Sequence, residues 1–210
     1  MRKKWKYYEN DNKEEAIKLE EKFNVNKLLA MIMANRGITE KNAEIFLNPN
    51  RHDFHDPFKM PDMEEAVNRI VKAIENNEKT IIFGDYDVDG ITSTTVLKSF
   101  LKDRGLDVGN YIPNRLKEGY GLNKDAIEKI AKDGYTLMIT VDCGITGNEE
   151  IEFAKSLGIE TIVTDHHEPA EELPNAIAVV DCKRKDNKYP FRELAGVGVA
   201  FKLTQAISIR

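Results

Sequence analysis

From Pro61 onward, short β-rich runs alternate with helical patterns, and three of those runs end in a cluster of aspartates or histidines. This alternation is the strongest constraint on the fold. Met63, Ala66, Val67, Ile70, Val71 and Ile74 recur on one helical face. Residues 80–83 then read as a strand, and Val96, Leu97, Phe100 and Leu101 mark a helix. The pattern repeats with a strand over 108–112, a helix at Ala126, Ile127, Ile130 and Ala131, a strand over 137–141, and a helix at Ile151, Ala154 and Leu157. Residues 160–163 and 176–180 complete the strands. Strands that alternate with helices predict an α/β fold, a mostly parallel sheet with helices on both faces.

Residues 1–60 read differently, as a small helical, loop-rich N-terminal annex ahead of a main domain over 61–210. Leu28, Leu29, Ile32 and Met33 supply an apolar helical face, Gly37 suits a helix stop, and Thr39-Glu40 a new start. At the other end, Val197, Ala200, Phe201, Leu203, Thr204 and Ile207 continue a helical pattern almost to Arg210. No polar tail follows, so the main domain is expected to be cut short at its C-terminal end.

Composition narrows the class. The chain is 41% hydrophobic and 32% charged, an ordinary balance for a packed core. The charged segment 1–16 lacks the apolar centre of a secretory signal, and the longest apolar runs are far too short to span a membrane. Cys143 and Cys182 show no paired spacing and fit a reducing cytoplasm better than a disulfide framework. A net charge of −5 argues mildly against a nucleic-acid partner, but bound cations would cancel part of it.

Ligands of open α/β sheets bind at the carboxyl ends of the strands, so the chemistry is sought there. After the strand over 80–83 come Asp85, Asp87 and Asp89 at alternate positions. In extended chain alternate side chains share a side, and three converging carboxylates need cations. An EF-hand loop is a poor alternative, because its twelfth position, counted from Asp85, is Val96 and not a bidentate Glu. Gly90 and Thr92 stand where the next helix begins and are expected to hold a phosphate through its N-terminus. Asp142 follows the strand over 137–141. An Asp in that place often caps a helix instead, and the neighbouring Cys143 has no base beside it in sequence.

Asp165, His166 and His167 follow the strand over 160–163. Imidazole and carboxylate are ligands for Mn²⁺, Fe²⁺ or Zn²⁺. Side chains of adjacent histidines diverge, which predicts that one ligates and the other contacts substrate or transfers a proton. Two metals bridged by a carboxylate would suit in-line attack on phosphorus. Finally, Asn114, Arg115 and Tyr120 lie in a segment that serves equally as an ordinary βα loop or as a substrate clamp. There Arg115 would fork a phosphate and Tyr120 would stack on a base.

The stretches FGDYDVDGITSTT, YIPNRLKEGYGL, VDCGIT, TDHHEPAEELPNAIAVV and YPFRELAGVGVAFKL resemble the DHH phosphoesterase superfamily, and within it the single-strand-specific DNA exonucleases of the RecJ type. The resemblance covers most of 81–203. It implies a cytoplasmic enzyme of DNA recombination and repair that degrades single-stranded DNA from its 5′ end with Mn²⁺ or Mg²⁺, two ions in the complete enzyme. By the same likeness Asp85, Asp87, Asp89, Asp142 and His166 hold metal, with Asp142 bridging. His167 and Asp165 are catalytic, with His167 on the substrate side. The likeness makes Arg115 a DNA contact, and Asn114, Gly90, Thr92 and Tyr120 complete the expected substrate-binding set by their positions. Implied partners are single-stranded DNA and replication or repair proteins such as a helicase or a single-strand-binding protein, and no membrane.

The family carries a further metal-binding Asp, a second domain and an OB-type domain downstream. A chain that ends at Arg210 is therefore expected to show weak or no nuclease activity by itself. The competing readings are an oligoribonuclease or cyclic-dinucleotide phosphodiesterase of the same superfamily, and a non-catalytic replication scaffold.

Overall fold

A computed structural model describes residue 4 and residues 12–210. The sequence expectation about residues 1–16 falls largely outside them. The described residues divide into two compact units, one ending at Phe54 and the other running from His55 to Arg210.

The first unit holds α1 (Lys13–Phe23), α2 (Lys27–Asn35) and α3 (Ala43–Leu47) around Leu19, Ala30, Met33, Ala34 and Ala43. Of the apolar face expected on α2, Met33 is buried, but Leu28 and Ile32 are exposed. The helix is apolar almost all round, so periodicity alone does not choose a face. The stripe that packs is the one whose small alanines admit close approach. Gly37 does end the helix, with φ +75, whereas α3 starts at Ala43 because Asn42 folds back to accept the Thr39 amide.

The second unit contains α4 (Met63–Glu75), β1 (Thr80–Gly84), α5 (Val88–Lys102), β2 (Val108–Tyr111), α6 (Lys124–Lys132), β3 (Leu137–Val141), α7 (Asn148–Ser156), β4 (Glu160–Asp165), β5 (Ala178–Asp181) and α8 (Gly196–Ile209). The five strands are all parallel, in the order β2-β1-β3-β4-β5. Successive residues of a strand face opposite sides. Ile82, Ile139 and Ile162 therefore pack with α4, α5 and α8, while Ile81, Phe83 and Met138 pack with α6 and α7. Both faces are covered, which is why β1 and β3 are buried at every position and mostly apolar. The α/β class with helices on both faces is the one the alternating pattern predicts.

Two consequences bear on function. The strand order turns back between β1 and β3, which places a crevice beyond their carboxyl ends. Register also lines up the residues there. Gly84 pairs with Val141, Val141 with Thr164, and Asp165 with Asp181. The next level of the sheet is thus a row of four aspartates, Asp85, Asp142, Asp165 and Asp181, each at most 2% exposed.

Candidate metal centre

The first loop is built by Asp87. Its side chain caps α5, with Oδ1 accepting the Gly90 amide at 3.0 Å. This corrects one expectation: the Gly90 N–H is committed to Asp87, not available to a phosphate. The reason for glycine is steric. A Cβ there would lie 2.4 Å from the Asp85 carbonyl oxygen. Thr92 is exposed, and its hydroxyl donates back to the Val88 carbonyl of its own helix at 2.7 Å. Asp85, buried behind the loop, keeps one carboxylate oxygen without a hydrogen-bond partner.

Asp142 occupies the left-handed region with φ +60, a costly conformation for a residue with a Cβ. It is 2% exposed, its Oδ1 accepts no hydrogen bond, and His166 Nε2 approaches that oxygen at 3.0 Å without hydrogen-bond alignment. Burial, then the charges of Asp89 and Asp87, push its pKa up to about 7. The α8 loop closes over it. A Cβ on Gly196 would fall 2.5 Å from Asp142 Oδ1.

Asp165 is the reverse case. Oδ2 accepts the Ile145 amide at 3.0 Å, and Oδ1 accepts the His166 amide at 2.7 Å, the His167 amide at 3.2 Å and His167 Nδ1 at 2.7 Å. Burial works to raise its pKa, yet the hydrogen bond from His167 and the amides of Ile145 and His166 hold it below the usual carboxylate range. The bond to Asp165 raises the His167 pKa in turn. An ionised Asp165 only accepts, so Nδ1 of His167 carries the proton of that bond and Nε2 is left for other work.

Two ligand sets emerge. Oxygens of Asp85, Asp87 and Asp142 lie within 4.8 Å of one another, and so do ligand atoms of Asp142, His166 and His167. Asp142 belongs to both. Bare, buried carboxylate oxygens beside imidazole nitrogens fit divalent cations that favour oxygen and nitrogen donors, Mn²⁺ or Mg²⁺ among them. Asp89 stands at the border. Its oxygens accept the amides of Gly196 and Val197, while Oδ2 is 3.6 Å from His166 Nε2.

The expected substrate segment lies alongside. The Tyr120 ring is 6.1 Å from that of His167 and 6.3 Å from that of Tyr86, edge-on to both. Its hydroxyl donates to the Asp142 carbonyl at 3.4 Å. The exposed Arg115 guanidinium sits 5.2 Å over the Tyr86 ring. Asn114 instead shapes the loop, accepting the Leu116 amide at 3.0 Å. Cys143 is buried with its pKa pushed well up by burial, so it forms no thiolate nucleophile.

Sequence reasoning missed two residues. Tyr86 was hidden between the aspartates of its loop. Asp181 was placed beyond a strand over 176–180, whereas β5 runs to Asp181 itself. A signal was present, since Val-Asp-Cys occurs at 141–143 and again at 180–182.

A family model described as the DHH family, N-terminal domain, matches residues 79–210. This chain belongs to the DHH family. Among its DHH relatives is the single-stranded-DNA-specific exonuclease RecJ of Bacillus subtilis, 48% identical over 190 residues, which are 90% of this chain and 24% of that protein. The RecJ of Escherichia coli is 40% identical over 146 residues, 69% of this chain and 25% of that protein. The chain thus spans about a quarter of the length of these curated relatives. Among solved structures, RecJ of Thermus thermophilus in complex with Mn²⁺ aligns with a TM-score of 0.72 at 27% identity, covering 94% of this chain and 27% of that one. An exonuclease RecJ bound to manganese aligns at 0.64 and 35% identity, over 72% and 38% of the two chains. Among the described residues, no helix is long and apolar enough to cross a membrane.

Proposed function

We propose that this DHH domain is the metal-binding part of a divalent-metal-dependent phosphodiesterase that removes nucleotides from the 5′ end of single-stranded DNA. The observation that carries the reading is Asp142, one buried carboxylate shared by two ligand sets, with Oδ1 free of hydrogen bonds. The RecJ relatives support the substrate class, and the motif resemblance supports the polarity.

Asp85, Asp87, Asp142 and His166 would hold Mn²⁺ or Mg²⁺, with Asp89 beside them. Bound cations supply a water of lowered pKa and neutralise charge on the phosphoryl oxygens. The chain's own residues do the rest. Asp165 fixes the ring of His167 through Nδ1, so Nε2 can meet the substrate phosphate or pass a proton to the leaving oxygen. Tyr120 and Tyr86 offer ring faces for unstacked bases, and Arg115 a fork for a phosphate. The proposed setting is DNA repair in the cytoplasm, where the two buried free thiols stay reduced. A helicase or a single-strand-binding protein is the proposed class of protein partner.

The test is Mn²⁺-dependent digestion of 5′-labelled single-stranded DNA by the full-length protein, beside the Asp142→Ala variant and a dinucleotide substrate. The expected result is digestion of long DNA that falls by about a hundredfold or more when the shared ligand is removed. Equal activity of the variant, or hydrolysis confined to dinucleotides, would overturn the reading.

A further inference from the structure

The loop after β2 carries an anion where a strand of phosphates would least welcome one. Glu118 follows Arg115 by three residues, in the segment that lies alongside the metal centre. Its side chain is half-buried, and both of its oxygens are engaged. Oε2 accepts the Asn114 amide at 2.8 Å, while the Glu118 amide donates back to the Asn114 carbonyl at 2.8 Å. Residues 114–118 are thus a turn pinned at both ends by one pair of residues. Oε1 accepts the hydroxyl of Tyr111, the last residue of β2. The Tyr111 ring in turn stacks on that of Phe83 at 5.3 Å, in the strand that leads into Asp85.

Arg115 depends on this tie more than its neighbours do. It is exposed, and its contact with the Tyr86 ring at 5.2 Å is a weak hold at a surface. Where its guanidinium reaches is therefore set by the backbone that carries it. Tyr120, beyond Gly119, has a tie of its own through the Asp142 carbonyl. The Tyr111 hydroxyl and the Asn114 amide hold the Glu118 carboxyl below the usual range, so an ionised group makes the tie at neutral pH.

We propose that Glu118 is a positioning residue for single-stranded DNA, which locks the 114–118 turn onto the end of β2 and so aims Arg115 at a phosphate of the strand. It does not touch the substrate and acts through Arg115. The role rests on the single-stranded-DNA reading, while the lock itself does not.

The sign of the effect separates this role from plain electrostatics. Removing an anion beside a phosphate contact strengthens DNA binding on Coulomb grounds alone. Loss of the lock predicts the opposite. Binding isotherms of single-stranded DNA at several salt concentrations compare full-length wild type with Glu118→Ala, Glu118→Gln, Tyr111→Phe, Arg115→Ala and the double variant Glu118→Ala, Arg115→Ala. Glu118→Ala is expected to bind about 10-fold more weakly, the low end for a charged hydrogen bond, with the salt slope reduced by about 0.7. Glu118→Gln keeps an acceptor for the Asn114 amide and offers a donor to the Tyr111 oxygen, so it should stay within about threefold of wild type. Tyr111→Phe keeps the ring on Phe83 and removes one tie. It should fall between the two, and it carries the comparison if Glu118→Ala fails to fold. In the Arg115→Ala background, Glu118→Ala should add no further loss. Mn²⁺ affinity should be unchanged throughout. Hydrogen exchange of segment 111–121, read by mass spectrometry, should be slow in wild type and Gln and fast in Ala.

The proposal falls if Glu118→Ala and Tyr111→Phe bind DNA as tightly as wild type or tighter, or if the Ala loss adds in full to that of Arg115→Ala. It falls equally if Gln is as impaired as Ala, or if the segment exchanges no faster without the carboxylate. A wild-type protein that binds no single-stranded DNA would overturn the phosphodiesterase reading and this role together. Wild-type binding beside an unaffected Glu118→Ala would overturn this role alone.

Discussion

Asp89 accepts the backbone amide of Gly196 at 2.7 Å and that of Val197 at 2.8 Å, so a carboxylate of the first acidic loop holds the start of α8, 107 residues later. The first N–H groups of a helix have no partner within it, and an anion at that end also meets the favourable pole of the helix dipole. Ala195, just before α8, provides no side-chain cap. Asp89→Ala should therefore destabilise the domain by about 1–3 kcal/mol, the range for charged hydrogen bonds. Thermal unfolding of the metal-free protein measures this cost apart from any ligand role. An unchanged Tm would show that the cap contributes nothing. Asp89→Asn, which keeps an acceptor, should recover part of the loss.

The same turn presses on Asp142. A methyl group on Gly196 would sit 2.5 Å from Asp142 Oδ1, the oxygen with no hydrogen bond. Real side chains do not tolerate that distance, and α8 is packed against α4, β3 and β4 and cannot simply withdraw. Gly196→Ala should displace the Asp142 carboxylate and weaken Mn²⁺ binding by about 10-fold or more. Calorimetric titration of Mn²⁺ into the folded variant checks this, and wild-type affinity would mean that the loop moves in place of the carboxylate.

Without metal, the buried carboxyls should make stability depend on pH. Asp142 and Asp181 are both pushed from 3.8 up to about 7. Between those values the folded chain keeps protons that the unfolded chain has released. Their contribution is fully present below about pH 4 and is lost as pH rises through about 7. The Tm of the metal-free protein should accordingly fall across that window, with Asp165, held low, acting in the opposite sense only in more acidic solution. The double variant Asp142→Asn, Asp181→Asn should flatten the slope. Saturating Mn²⁺ should reverse much of it for the wild type, because the cation binds the ionised Asp142.

How much of this was legible in the sequence depends on the kind of signal. Strand periods, the apolar faces of α4 and α6 and the crevice at the strand tips were readable, because burial on both faces leaves a period and turn chemistry marks the ends. Asp85, Asp142 and the Asp165–His167 run stood out as charge where a strand stops. What sequence could not say was which amides were already taken. Gly90 and Thr92 looked free for a phosphate, but Asp87 and the α5 backbone claim them. Asp89 reads as a ligand in its loop, and its second task, capping α8 far along the chain, leaves no local signal. Asp181 was lost by one residue of strand boundary, the least determinate feature of any sequence reading. The exposed face of α2 was misjudged because an all-round apolar helix carries no directional signal.

Arg115 gives the last test, on the substrate side. Its guanidinium lies 5.2 Å over the Tyr86 ring, and Tyr86 stands between Asp85 and Asp87, so this exposed cation is tied to the loop that carries the first ligand set. A planar, weakly hydrated guanidinium can keep its face on the ring while its edge forks a phosphate, which an ammonium cannot do. Arg115→Ala should weaken binding of single-stranded DNA and reduce the slope of log affinity against log salt by about 0.7, the value for one lost phosphate contact on a single strand. Arg115→Lys should restore the salt slope, because the charge returns, but only part of the affinity, because the stack and the fork do not. Mn²⁺ affinity should be unchanged in both. Binding isotherms at several salt concentrations separate the two contributions. A salt slope untouched by the alanine variant would place Arg115 off the path of the strand.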